Sequence, residues 1–196
     1  MFNSKNRVLY LIIMQCSTIC VAEKLDNINP NQLRFREMVA TRINAPPIID
    51  GILDDEAWKA AITENDFVQF EPYNLAEPSE RTEARLIYDN DYVYLAVNNY
   101  DTEPEKITGR LSRRDRWMEA FGPHSDWVGV AFDSNNDDRT GYWFAVNPAG
   151  SWMDVYISGE GMEAFDSSWD VVWDFKTARH DEGWSVEMRI PFSVFQ

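Results

Sequence analysis

Cysteine and histidine are nearly absent, with two of each in 196 residues. Both cysteines, Cys16 and Cys20, lie in the first 22 residues, so the rest of the chain has neither a disulfide nor a thiol nucleophile. His124 and His180 lack metal-ligand spacing and have no nucleophile nearby in sequence, so both read as loop histidines. Positive charge is scarce: 18 Lys+Arg against 33 Asp+Glu give a formal charge of −15. Such a chain repels a nucleic-acid backbone and an anionic membrane surface, and suits neutral polar ligands instead. There is no Gly-x-Ser-x-Gly elbow, Gly-rich phosphate loop, internal repeat or long helical period, which argues against a parallel α/β sheet.

The 44% hydrophobic content supports a sizeable core, and aromatics at 14% favour strands and faces for flat, amphipathic ligands. Lys5 and Arg7 precede the apolar stretch Val8–Met14, and small or neutral residues follow to Ala22. Residues 1–22 therefore read as a secretory signal peptide, since the run is too short for a transmembrane anchor. Residues 23–39 are polar and aperiodic and read as a linker, leaving one domain over 40–196.

Within that domain, strand-like runs recur at roughly ten-residue spacing with turn residues between them. They are Glu83–Tyr88, Tyr92–Tyr100, Asp126–Phe132, Tyr142–Asn147, Trp152–Ser158, Trp169–Phe175 and Trp184–Ile190. Trp127–Phe132 and Trp184–Ile190 alternate cleanly, as half-buried strands do. Asn147-Pro-Ala-Gly150 predicts a turn with Pro at its second position and Gly at its last. A short helix is expected after Asp54, its cap, through Ala61, and a second helical turn from Ser112 to Glu119. The pattern is that of an all-β, antiparallel sandwich with one or two short helices.

Hydrolytic signals are unspecific, because a glycosidase needs two carboxylates at defined separation and 33 acidic residues always supply some suggestive pair. Asp133, Asn135 and Asp137 place oxygen side chains at alternate positions, like the opening of a calcium loop, so Ca²⁺ is the candidate cofactor. The pattern departs from an EF-hand, with Asp138 where Gly belongs and Phe144 where the bidentate Glu belongs. An ordinary solvated hairpin tip is the competing reading. Trp117 stands in Arg113-Arg-Asp-Arg-Trp-Met-Glu119, a ring among charges, which is what a pyranose needs for its C–H face and its hydroxyls. The same ring could fold over the edge of the core. Trp58 reads as core, and Trp152, Trp169 and Trp173 read mostly as core.

Five segments follow in order: Pro47-Ile-Ile-Asp-Gly-Ile-Leu-Asp-Asp-Glu-Ala-Trp58, Thr82-Glu-Ala-Arg-Leu-Ile-Tyr-Asp-Asn-Asp-Tyr-Val-Tyr-Leu95, Asp126-Trp-Val-Gly-Val-Ala-Phe-Asp133, Phe144-Ala-Val-Asn147 and Gly183-Trp-Ser-Val-Glu-Met-Arg-Ile-Pro-Phe192. Their order and spacing resemble family 9 carbohydrate-binding modules. The likeness covers residues 40–196 and is strongest to the amino-terminal module of bacterial envelope proteins that carry a further domain. It implies a jelly-roll-like sandwich that binds glycan, is secreted or periplasmic, and accompanies enzymes acting on O-glycosyl bonds. In the family, two tryptophans sandwich a sugar and calcium supports loops; Trp117, ahead of Asp126, matches the first tryptophan. The second lies beyond the Ile-Pro-Phe strand, so the resemblance implies a C-terminally truncated sandwich without its last strands. With Asp126 and Asn147, which stand in matched segments, the candidate sugar contacts are Trp117, Arg113, Arg114, Asp115, Asp126 and Asn147. Competing readings are a glycoside hydrolase, a haem-binding sandwich using Met118 or Met153, and a purely structural module.

Overall fold

The computed structural model describes residues 38–69, 72–73, 75–122, 125–137, 139–159 and 164–195. The expected leader, and the expected linker up to residue 37, lie outside the described residues. Two sheets form the domain. The first has the order β1-β2-β3-β9-β8, built from β1 (Thr41–Arg42), β2 (Thr82–Tyr88), β3 (Tyr92–Tyr100), β8 (Asp174–His180) and β9 (Gly183–Pro191). The second runs β4-β5-β6-β7, with β4 (Val128–Phe132), β5 (Thr140–Val146), β6 (Trp152–Ser158) and β7 (Phe165–Asp166). All pairings are antiparallel except β1 on β2, which is parallel. Among the described residues the helices are two single turns, α1 (Glu56–Lys59) and α2 (Trp117–Ala120), with 3-10 turns at Pro104–Lys106 and Phe192–Phe195. The expected all-β sandwich is present.

The alternation read in the sequence selects the shared core. Leu86, Leu95, Val97, Val186 and Met188 of the first sheet meet Val128, Val130, Phe144 and Val146 of the second in one cluster. The opposite faces are also buried. Residues 43–61, with Trp58 fully enclosed, cover Ile87, Tyr94 and Ala96 behind the first sheet. Phe121 and Ala120 cover Trp127, Ala145, Met153 and Val155 behind the second. This double cover is why β9 is buried almost end to end, although its polar residues alternate as if half faced water.

Three local expectations are corrected. The run Trp169–Phe175 is a strand only in its last two residues: pairing begins at Asp174, and the preceding Val171 N donates instead to the Asp154 carboxylate of β6 (3.1 Å). The first helix takes Asp55, not Asp54, as its N-cap residue, and the Asp55 carboxylate accepts from Ile48 N (3.0 Å) rather than from the helix. The second helical turn spans only Trp117–Ala120, since Asp115 has φ of 61° and cannot belong to a continuous helix. The Asn147–Gly150 turn forms as expected, with Gly150 N donating to Asn147 O (3.0 Å) and Gly150 at φ 85°.

Candidate functional site

A cleft of about 910 Å³ opens beside β8, where its first residues leave the shelter of the core. Its aromatic wall comes from Trp152, at the start of β6, and from Trp173 and Phe175. Trp152 and Trp173 each lie against Phe175, with ring centroids 5.7 and 5.3 Å apart. Pro47–Ile49 and Val171–Val172 also line the cleft, and Val172 is 87% exposed. Arg114, Lys176, Asp174 and Arg189 add charge to this apolar frame. An aromatic wall with a few charged groups at its margin suits a ligand with both C–H faces and hydroxyls.

Asp154 organises one side of the cleft. It sits on β6 opposite Phe144, so its side chain points into the core face, and it is fully buried. A carboxylate there needs donors. Arg114 supplies them, with Nε to Oδ1 at 2.9 Å and Nη2 reaching both oxygens. Val171 N donates to Asp154 Oδ2 (3.1 Å), and Trp173 Nε1 reaches Oδ1 at 3.5 Å. Arg114 also donates to Val171 O (3.1 Å) and pairs with Asp170. This network is what keeps 169–173 out of the sheet, fastened across to β6 as cleft rim. Asp115 stands beside the pair, and burial pushes its carboxyl above the ordinary range; the charge of Asp154 adds to this, while Asp154 N–H and Arg114 oppose it. At the other rim Arg189 pairs with Asp174 and lies over the Tyr92 ring, 5.1 Å from its centroid.

Of the six candidate sugar contacts, Arg114 alone lines this cleft. Trp117 is half-buried on the back of the second sheet, stacked on Phe121 (5.8 Å, 4° between planes) and packed on Trp127 and Trp143 at 5.2 and 5.5 Å. Arg113 is exposed on the preceding loop. Asp126 is buried and ties down Thr108, whose N–H it accepts at 2.7 Å; burial raises its pKa. Asn147 is fully buried and saturated, donating to Arg110 O and Ala120 O and accepting from Ala149 N and Ser151 N.

The hairpin tip named for calcium is closed by its own hydrogen bonds. Asp137 accepts from Thr140 N and Oγ1 and from Arg139 N, which hold its carboxyl below the ordinary range. Asp133 accepts from Asp137 N (3.3 Å), and Asn135 donates to Thr140 Oγ1 (3.0 Å). Among the described residues no three His, Cys, Asp or Glu side chains are grouped to hold a metal. Met153 is buried in the cluster behind the second sheet and Met118 is exposed.

By sequence the chain matches no family model and no curated protein. Solved structures are more informative. A family 9 carbohydrate-binding module from Caldicellulosiruptor kristjanssonii, in complex with cellotriose, aligns with a TM-score of 0.51 and 17% identity over 79% of this chain and 67% of that one. A family 9 module from the same organism, in complex with glucose, aligns at 0.50 and 19% over 78% and 70%. A Bacteroides uniformis protein to which carbohydrate binding is ascribed aligns at 0.56 and 16% over 80% and 72%. The chain has the fold of the family 9 carbohydrate-binding modules.

Proposed function

We propose that this domain binds carbohydrate without transforming it, in the cleft beside β8. The observation that carries this reading is the lining itself: Trp152, Trp173 and Phe175 form one aromatic wall, with arginine and lysine side chains at its rim. Aromatic faces take up sugar C–H groups while charged donors meet hydroxyls. The solved structures of the same fold support the ligand class, since two of them hold cellotriose and glucose. A non-catalytic role fits the carboxylates at the cleft, because Asp154 and Asp174 are each tied to an arginine. We further propose that the domain is secreted, periplasmic or held in the envelope, a reading supported by residues 1–22 as an export leader, and that it serves a partner or attached domain acting on O-glycosyl bonds, a reading supported by the family resemblance.

Titration calorimetry with glucose and cellotriose tests the reading. Trp152→Ala is expected to weaken cellotriose binding by about 1–3 kcal/mol, about 5- to 150-fold, with the fold retained and some stability lost because its ring also packs on Phe175. Failure of a broad set of neutral oligosaccharides to bind, or unchanged affinity in the variant, refutes it. A single carboxylate variant that abolished turnover of an aryl glycoside would instead establish an enzyme.

A further inference from the structure

Glu187 occupies a position where a carboxylate is costly. It lies on β9, on the face turned away from the shared core, and is completely buried beneath residues 50–58. Among the described residues no cation pairs with it; three neutral donors do. Oε1 accepts from Trp58 Nε1 at 2.6 Å, while Oε2 accepts from Asp50 N at 2.8 Å and Gly51 N at 2.7 Å. Burial pushes the carboxyl above its ordinary range, and these donors pull it back. Two residues earlier on the same face, Ser185 Oγ donates to Gly51 O at 2.6 Å.

Both polar atoms of the Gly51 backbone are therefore held by β9 side chains. Gly51 itself has φ of 91°, and a Cβ there would sit 2.9 Å from the Thr177 carbonyl carbon, so the turn is pressed on β8 with no room to shift inward. Pro47, Ile48 and Ile49, the residues just before this anchored turn, are part of the lining of the cleft. An apolar side chain at 187 could pack under Trp58. It could not hold two adjacent backbone N–H groups and an indole N–H at once, which takes an acceptor with two oxygens and no proton of its own.

We infer that Glu187 is the positioning residue of the cleft: it touches no ligand, but its carboxylate fixes where Pro47–Ile49 stand and so sets the shape of the lining they provide. This rests on the glycan-binding reading of the cleft. In Glu187→Gln one of the two oxygens becomes an NH₂, so one lobe sets donor against donor. The expected result is a roughly tenfold loss of cellotriose affinity with the strand signature in circular dichroism retained and the Trp58 indole N–H resonance displaced. Combining Trp58→Phe with Glu187→Gln removes the clashing indole donor and leaves the amide oxygen free to serve Asp50 N and Gly51 N. The double variant is therefore expected to regain most of the lost affinity. A role confined to stability predicts instead that the double variant is worse than the single.

If Glu187→Gln does not fold, Ser185→Ala decides the matter, because it releases only the Gly51 carbonyl and is expected to cost about threefold in affinity. Full affinity in Glu187→Gln or in Ser185→Ala, alongside loss in Trp152→Ala, overturns the inference and leaves the glycan-binding reading intact. No binding by the wild-type chain overturns both.

Discussion

Replacing Asp154 by Asn is the sharpest test of how the cleft is built. The substitution preserves volume, so it opens no cavity; it removes a charge and turns one acceptor into a donor. In the native domain Asp154 is 0% exposed and takes hydrogen bonds from Arg114, Val171 N and Trp173 Nε1. Removing one partner of a buried ion pair costs about 3–5 kcal/mol, mostly because the surviving charge is stranded. Arg114 is not wholly stranded here, since its side chain is 23% exposed and it retains Asp170 and Asp115. The expected cost therefore falls at the lower end, about 3 kcal/mol. With a urea m value of about 2 kcal/mol/M, that lowers the denaturation midpoint by about 1.5 M at unchanged m.

The assay is equilibrium urea unfolding followed by tryptophan fluorescence, with two comparisons. Asp170→Asn removes a carboxylate from the same arginine, but Asp170 is 69% exposed, so the expected loss is below about 1 kcal/mol. Combining Arg114→Met with Asp154→Leu removes both charges and is expected to recover most of the loss, because the desolvation penalty disappears along with the pair. An Asp154→Asn midpoint within about 0.3 M of wild type, or one matched by Asp170→Asn, would refute the claim that this buried pair holds the rim in place.

Trp117→Ala is expected to lose about 2–3 kcal/mol of stability while cellotriose affinity in the cleft stays unchanged, because its ring packs on Phe121, Trp127 and Trp143; a selective loss of binding would return Trp117 to the site. Gly183→Ala is expected to lower the melting temperature by several degrees, since φ is 148° there and an added Cβ would fall on Asn99 O. Asp89 gives a pH test. Burial pushes its carboxyl up, but hydrogen bonds from Tyr94 Oη, Asp91 N and Tyr92 N outweigh that, and the folded value lies below the ordinary one. Its stabilising contribution is therefore complete above about pH 4, the unfolded value, and is lost as pH falls through the folded value. Asp89→Asn should flatten the acid limb of a stability–pH curve measured by urea midpoint, and an unaltered limb would count against it.

The strands were legible because their side chains alternate, and alternation survives into the fold wherever a turn fixes register. The run Trp169–Trp173 is just as rich in aromatic and β-branched residues, yet it does not pair. What overrides it is a contact from another strand, Asp154 capturing Val171 N, and local pattern carries no trace of that. A different kind of error concerned the faces. Ser185 and Glu187 alternate with apolar residues, which reads as one wet face; both are buried because residues 43–61 close over them. A strand pattern tells which residues share a side but not what lies on that side.

The cleft was hidden for the same reason. Arg114 and Asp154 are 40 positions apart, and Trp58 and Glu187 are 129 apart, so no spacing rule joins them. Trp152 and Trp173 read as core because most tryptophans are, and half of each reading holds: they pack on Phe175 and also line the opening. One signal was available. Asp154 sits in Trp152-Met-Asp-Val-Tyr156 on the same side of the strand as Trp152 and Tyr156, and an acid buried between those rings demands strong hydrogen-bond donors. The arginines at 110, 113, 114 and 116 are the densest cluster of cations in the sequence, and the choice of Arg114 brings the 110–116 loop against β6. Asking which buried carboxylate must be neutralised, and by what, thus leads to the cleft rim more directly than asking which tryptophan is free.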